Sequence, residues 1–170
     1  MSLFENALDD LEPGATHESP PRVISEADVA VFAALTGDRH PAHLDPDWAA
    51  AGPFGRPIAH GLLVLSCAAG SLPLDPGRVL ALRRVREAVF KRPLAVGDAI
   101  AVRCSIVSTR PIDERSGLVE CEWRILDAAG RLLARAVVEV LWSRRAEPPR
   151  AGAGALDSVQ IADDGIHVLI

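Results

Sequence analysis

The chain has 170 residues, 49% of them hydrophobic and 24% charged. That composition suits one soluble domain with a buried core, or one compact core carrying a tail. The net charge of −5 speaks against general nucleic-acid binding, which leans on a basic surface.

Residues 1–13 read as an irregular or short helical lead-in. Residues 17–24 read as an extended segment that Pro20 and Pro21 confine to a sheet edge. Ser25-Glu26-Ala27-Asp28 then resembles a capping box, with Asp in place of the usual Glu or Gln. Val29, Phe32 and Ala33 give the following helix one apolar face. Gly37 is placed to end it. The stretch TGDRHPAHLDPD, residues 36–47, therefore falls just past a helix end and is expected to be a loop. Asp45 as N-cap and Pro46 at the first helical position predict a second short helix, which Gly52 and Pro53 stop.

Residues 54–58 lead to His60-Gly61 and then to LLVLSCAAGSL. This run is apolar on all sides and predicts a helix buried all round, with a sheet as its covering. From Val79 the period changes to two. Val102, Cys104 and Ile106 share one face; so do Val119, Cys121, Trp123 and Ile125; so do Ala134, Ala136, Val138, Val140 and Trp142. Gly97-Asp98 and Asp127-Ala128-Ala129-Gly130 are turn signals between strands. The expected fold is α+β: short helices, then an antiparallel meander wrapped around a central buried helix. Residues 1–145 form this domain. Residues 146–170 are read as a linker, RRAEPPRAGAG at its start, and an apolar tail in which Asp164-Gly165 closes a small hairpin. Val159, Ile161, Ile166, Val168, Leu169 and Ile170 are too apolar for a solvated tail, which predicts docking on the domain.

Cys67, Cys104 and Cys121 are far apart, odd in number and without a Cys-x-x-Cys pair, as expected for reduced thiols in the cytoplasm. The acidic start MSLFENALDDLEPG lacks the basic region of a signal peptide. The longest apolar run is well short of the roughly 20 residues that span a bilayer.

Chemistry concentrates in residues 36–47. Asp38, His40, His43, Asp45 and Asp47 put carboxylates and imidazoles within ten positions, and a carboxylate and an imidazole converging on one water can remove one proton and return another. Asp38, His40, His43 and Asp45 also offer oxygen and nitrogen ligands for a metal. The bland alternative is a polar loop in which Asp38 caps a turn after Gly37. Ser66 may equally satisfy the carbonyl one turn earlier. Arg83, Arg84 and Arg86 are either a solvated strand face or a set of phosphate partners.

Two motifs decide among these. F-x-x-L-T-G-D-x-x-P-x-H-L-D-P at residues 32–46 and F-G-R-P-I-A-H-G-L-L-x-x-S at residues 54–66 resemble the MaoC-like (R)-specific enoyl-CoA hydratases. FKRPLAVGD at residues 90–98 extends the resemblance, which covers roughly residues 25–143. The resemblance implies the hot-dog fold. It implies hydration of a 2-enoyl thioester of coenzyme A or acyl carrier protein to the 3-hydroxyacyl thioester, or the reverse dehydration, with no cofactor and no metal. Asp38 and His43 would hold the water. Gly61 would bring a backbone N–H to the thioester carbonyl, with His60 before it and Ser66 helping to orient the substrate. A homodimer or higher homo-oligomer, with the pocket at the subunit interface, is also implied. The family usually has Asn where this chain has His40, a change expected to bear on efficiency and substrate range. The competing functions are a hot-dog thioesterase, which leaves Asp38 and His43 unexplained, and a non-catalytic subunit of a hetero-oligomer.

Overall fold

The computed structural model describes residues 2–144, 159–162 and 165–168. The chain opens with two single 3-10 turns, Leu3–Glu5 and Leu8–Asp10. The lead-in does more than its sequence announced: Leu3, Phe4, Leu8 and Leu11 are all buried in the main core. Phe4 stacks on Trp142, ring centroids 5.9 Å apart, and the Trp142 indole N–H donates to the Asn6 carbonyl at 2.9 Å. Four apolar residues on two unlinked turns have no period for a sequence reading to detect.

Strands β1 (Thr16–Glu18) and β2 (Arg22–Val23) pair antiparallel with β4 (Ala99–Pro111) at the sheet edge. Helix α1 spans Glu26–Thr36. Its capping box is reciprocal: Ser25 Oγ accepts the Asp28 N–H at 3.1 Å, and the Asp28 carboxylate accepts the Ser25 N–H at 2.8 Å. Gly37 ends the helix at φ +79°, where a side chain would be strained. The next stretch is not the expected loop. His40 and Pro41 start one turn of helix, α2 (Pro41–Leu44), and Asp45 then caps α3 (Pro46–Ala51) as predicted. Pro41 occupies the first helical position, where its missing N–H costs nothing.

Helix α4 (Gly61–Gly70) lies against the sheet. It is not enclosed all round: Leu63, Val64, Cys67 and Ala68 are buried, whereas Leu62 is 62% exposed and Ser66 faces outward. One sheet covers one side of a helix, so the other side stays open in a single chain.

The sheet is the hot-dog sheet, with strand order β1-β4-β5-β6-β3, where β3 is Val79–Phe90, β5 is Ser116–Asp127 and β6 is Leu132–Ser143. Strands β4, β5 and β6 make the expected meander. β3 departs from it by pairing with β6 at the far edge instead of with β4. A period of two tells which face a residue takes and nothing about which strand lies beside it. Residues 91–98 make the crossing, held by the Ala59 N–H on the Leu94 carbonyl at 2.8 Å and the Val96 N–H on the Pro57 carbonyl at 3.0 Å. Register sets Cys104 against Trp123 and Trp123 against Ala136. The predicted inward faces are the buried ones. Fully burying a side chain such as Ile125 or Val138 is worth roughly 1.5–3 kcal/mol.

Strands β7 (Val159–Ala162) and β8 (Gly165–Val168) form the small antiparallel hairpin foreseen at the C-terminal end. Its docking on the domain lies outside the described residues. Among the described residues no helix is long and apolar enough to cross a membrane.

Candidate active site

Three segments bring their polar groups together. Asp38 follows the left-handed Gly37. Its carboxylate accepts the His40 N–H at 3.3 Å and keeps half its surface open to solvent. The single turn of α2 carries His43. The His40 ring caps that turn, its Nδ1 accepting the Ala42 N–H at 3.2 Å, and packs edge-on against Trp48, centroids 5.3 Å apart. The chain before α4 clamps the turn from the other side: the Ile58 N–H donates to the Ala42 carbonyl at 3.0 Å. The Ile58 carbonyl in turn accepts from His43 Nδ1 at 2.7 Å. That bond places the ring proton on Nδ1 and leaves Nε2 as a base.

His60 completes the group from the start of α4. It is 3% exposed. Its Nε2–H donates to the Asp38 backbone carbonyl at 3.0 Å and lies 3.9 Å from the Asp38 carboxylate. Its ring stacks on His43, centroids 3.7 Å apart and planes 28° apart, with Phe32 at 5.1 Å. The sequence offers His60 as a substrate-binding residue beside Gly61 or as a structural residue bonded to loop backbone, and the bond to the Asp38 carbonyl is of the second kind. Its contacts with Asp38 and His43 join positions 17 to 22 residues apart in sequence, which no local pattern discloses.

α4 begins at Gly61 without a side-chain cap, so its first N–H groups stay available to a ligand oxygen. Beside them is a cavity of about 290 Å³ lined by Phe54, Ile58, Gly61, Phe90, Lys91 and Leu133, among others. It shares Ile58 and Gly61 with the polar group and is otherwise mostly apolar, as a binding site for an acyl chain would be.

Other sequence candidates are accounted for elsewhere. Ser66 Oγ donates to the Leu62 carbonyl at 2.8 Å on the open face of α4. Arg83 pairs with Glu139 at 2.5 Å and Arg86 with Glu120, so two of the three strand arginines hold carboxylates across the sheet. The three cysteines are free and buried. Burial pushes the Cys67 thiol up. A hydrogen bond with Cys104, followed by burial, does the same to Cys121. None is a ready nucleophile.

The four-residue metal set does not assemble. Asp45 accepts the Asp47 and Trp48 N–H groups, both at 3.0 Å, and the His40 Nδ1 is taken by Ala42. Ligand atoms of Asp38, His43 and His60 do lie within 4.8 Å of one another. A metal, however, sits close to the plane of each imidazole that binds it. Two face-stacked rings do not offer one point in both planes. A water held by a carboxylate and one imidazole fits this arrangement better.

Comparison with known proteins identifies the family. The sequence profile described as MaoC like domain matches residues 10–123. The chain is 34% identical over 152 residues to the 3-hydroxybutyryl-CoA dehydratase of Methylorubrum extorquens, covering 86% of this chain and 93% of that one. Among solved structures, the monoamine oxidase regulatory protein of Archaeoglobus superposes with a TM-score of 0.76 at 32% identity, over 82% of this chain and 95% of that one. The (R)-hydratase PhaJ1 of Pseudomonas aeruginosa gives 0.65 at 30% identity, over 87% and 96%.

Proposed function

This chain belongs to the MaoC-like domain family, and from that premise we propose that it hydrates a 2-enoyl thioester to the (R)-3-hydroxyacyl thioester and runs the reverse dehydration. The observation that carries the proposal is the meeting of the Asp38 carboxylate and the His43 ring beside the uncapped start of α4 and its apolar cavity.

The acyl chain lies in the cavity with its thioester oxygen at the Gly61 N–H. A water is held between Asp38 and His43 Nε2. Its oxygen forms the bond to C3 while the C2–C3 double bond opens, and negative charge moves onto the thioester oxygen as an enolate. The pair takes one proton from the water and delivers one to C2, so the reaction balances as thioester plus water. Acid–base help of this kind is worth on the order of 10²–10⁴ in rate. An N–H aimed at the enolate oxygen adds roughly 3–4 kcal/mol. The carrier is coenzyme A or acyl carrier protein.

The working form is a homodimer. β3 is an edge strand with exposed Leu80, Leu82 and Val85, and an uncovered strand edge invites pairing. The open side of α4 with Leu62 supports a partner nearby. Free, buried cysteines fit a cytoplasmic setting. The deciding experiment presents enoyl and saturated acyl thioesters to the enzyme and follows the double-bond absorbance, free thiol and product chirality. Loss of the double bond with (R)-product is expected. Thiol release from saturated substrates, or no turnover of any thioester, would overturn the proposal.

A further inference from the structure

We propose that His60 is a positioning residue for both members of the reacting pair: its ring face is the platform on which His43 rests, and its Nε2–H is the tether that aims Asp38. The inference rests on the reading of Asp38 and His43 as that pair.

His43 is held from two directions. Its Nδ1–H bond to the Ile58 carbonyl fixes the ring along one in-plane axis and leaves it free to swing about that bond. The His60 face, 3.7 Å away, removes the swing. Nε2 is thereby left in one direction. Asp38 needs a different constraint. Its carboxylate is half-exposed and, among the described residues, is hydrogen-bonded only by the His40 N–H. Its backbone carbonyl, however, is bonded to a ring that cannot move, since His60 is buried between Phe32 and His43. One side chain therefore sets the relation between the two groups that must hold a single water. The peptide bond to Gly61 extends the same relation to the start of α4.

The state of the ring matters. Donation from Nε2 leaves Nδ1 as a bare acceptor, and that atom is buried with no hydrogen-bond partner among the described residues. A side chain required only to satisfy the Asp38 carbonyl would not need to bury a second nitrogen unmet. A neutral aromatic face under His43 favours the imidazolium that forms when His43 carries a proton. A charged ring there would oppose it. The ionisable groups facing this stack are the Asp38 carboxylate, the His40 ring 6.1 Å from His43, and Lys91 and Arg92 in the adjoining cavity.

The test uses two variants that divide the roles. His60→Gln keeps an N–H for the Asp38 carbonyl and removes the platform. His60→Phe keeps a flat ring and removes the tether. Each is expected to lower kcat about tenfold or more while KM stays within about threefold, because the loss falls on the reacting geometry and not on binding. Unchanged kcat in both variants overturns the inference. So does a fall in kcat no larger than the loss of folded enzyme seen by circular dichroism. A third measurement needs neither variant nor turnover: nitrogen NMR of the native protein should find the His60 ring proton on Nε2, and a ring that carries its proton on Nδ1 alone overturns the inference by itself. Full turnover in Asp38→Asn or His43→Gln would instead sink the reading of the pair, which these outcomes keep separate.

Discussion

The ring of Phe90 lies against the backbone of Gly61, so close that a Cβ at position 61 would stand 3.0 Å from a ring carbon. β3 thus ends with its last side chain pressed onto the first residue of α4, where the thioester oxygen is proposed to bind. Gly61→Ala should cost about 1–3 kcal/mol of stability through overpacking. It should also lower kcat/KM by at least tenfold, a loss of about 1.4 kcal/mol. Adding Phe90→Leu should restore much of the melting temperature, since the two residues share one contact. Stability losses that simply add in the double variant would show that the contact is not the cause.

Asp38→Asn and His43→Gln should each fold normally and lose on the order of 10² or more in kcat. Their combination should cost less than the product of the two, because both act on one water. Exhaustive chelation should leave the rate unchanged. Activity abolished by chelator and restored by a divalent metal would contradict this account.

His40 stands where the family resemblance implies Asn, and its Nδ1 caps α2 as an Asn side chain would. His40→Asn should therefore keep or raise activity. His40→Ala, which removes the cap, should lower stability by ~1 kcal/mol and weaken turnover through the loosened His43 turn. Equal activity in the Ala variant would separate the cap from the chemistry.

Three aspartates tie folding to acid. Hydrogen bonds from the Ser25 side chain and backbone hold Asp28 below the usual carboxylate range; backbone N–H groups of Arg115 and Ser116 do so for Asp113, and that of Arg131 for Asp127. A depressed folded value gives stability that is present above the unfolded value of about 3.9 and is lost as pH falls through the folded one. Contributions from these groups should be flat from pH 7 to about 5 and should fade below about 4. Asp28→Asn should be less stable than the parent at pH 7. The gap should narrow in strong acid, as a melting series across pH would show.

The C-terminal segment is proposed to pack on the domain. Truncation at Arg150 should lower melting temperature or solubility, since an isolated two-stranded hairpin is marginal in water. Unchanged melting, solubility and activity in the truncated protein would remove the proposal.

Local rules carried much of this structure. The Ser25–Asp28 box, the Gly37 stop, the Asp45 cap and the inward faces of β4, β5 and β6 are all set within a few residues of one another, and sequence displays such patterns. What it did not display depends on distance. The pairing of β3 with β6, the packing of Phe4 on Trp142 and the stacking of His43 on His60 each join positions with no local relation. The turn of α2 escaped for the opposite reason: four residues are too few to show a helical period. Asp38 and His43 were legible through two motifs in order. His60 as their shared support was not, because its role exists only once the chain has folded.

The contact between Phe4 and Trp142 has a consequence for how the molecule comes into being. It joins the first turn of the chain to the last long strand, 138 positions apart, in a sheet whose other edge is likewise closed late, by β3 finding β6. Such distant closures slow folding, because the loop entropy must be overcome before the contacts form. On the ribosome, Leu3, Phe4 and Leu8 have no core to enter until residues 132–143 have emerged. Synthesis at 5–20 residues per second leaves those apolar residues waiting for roughly 7–28 seconds.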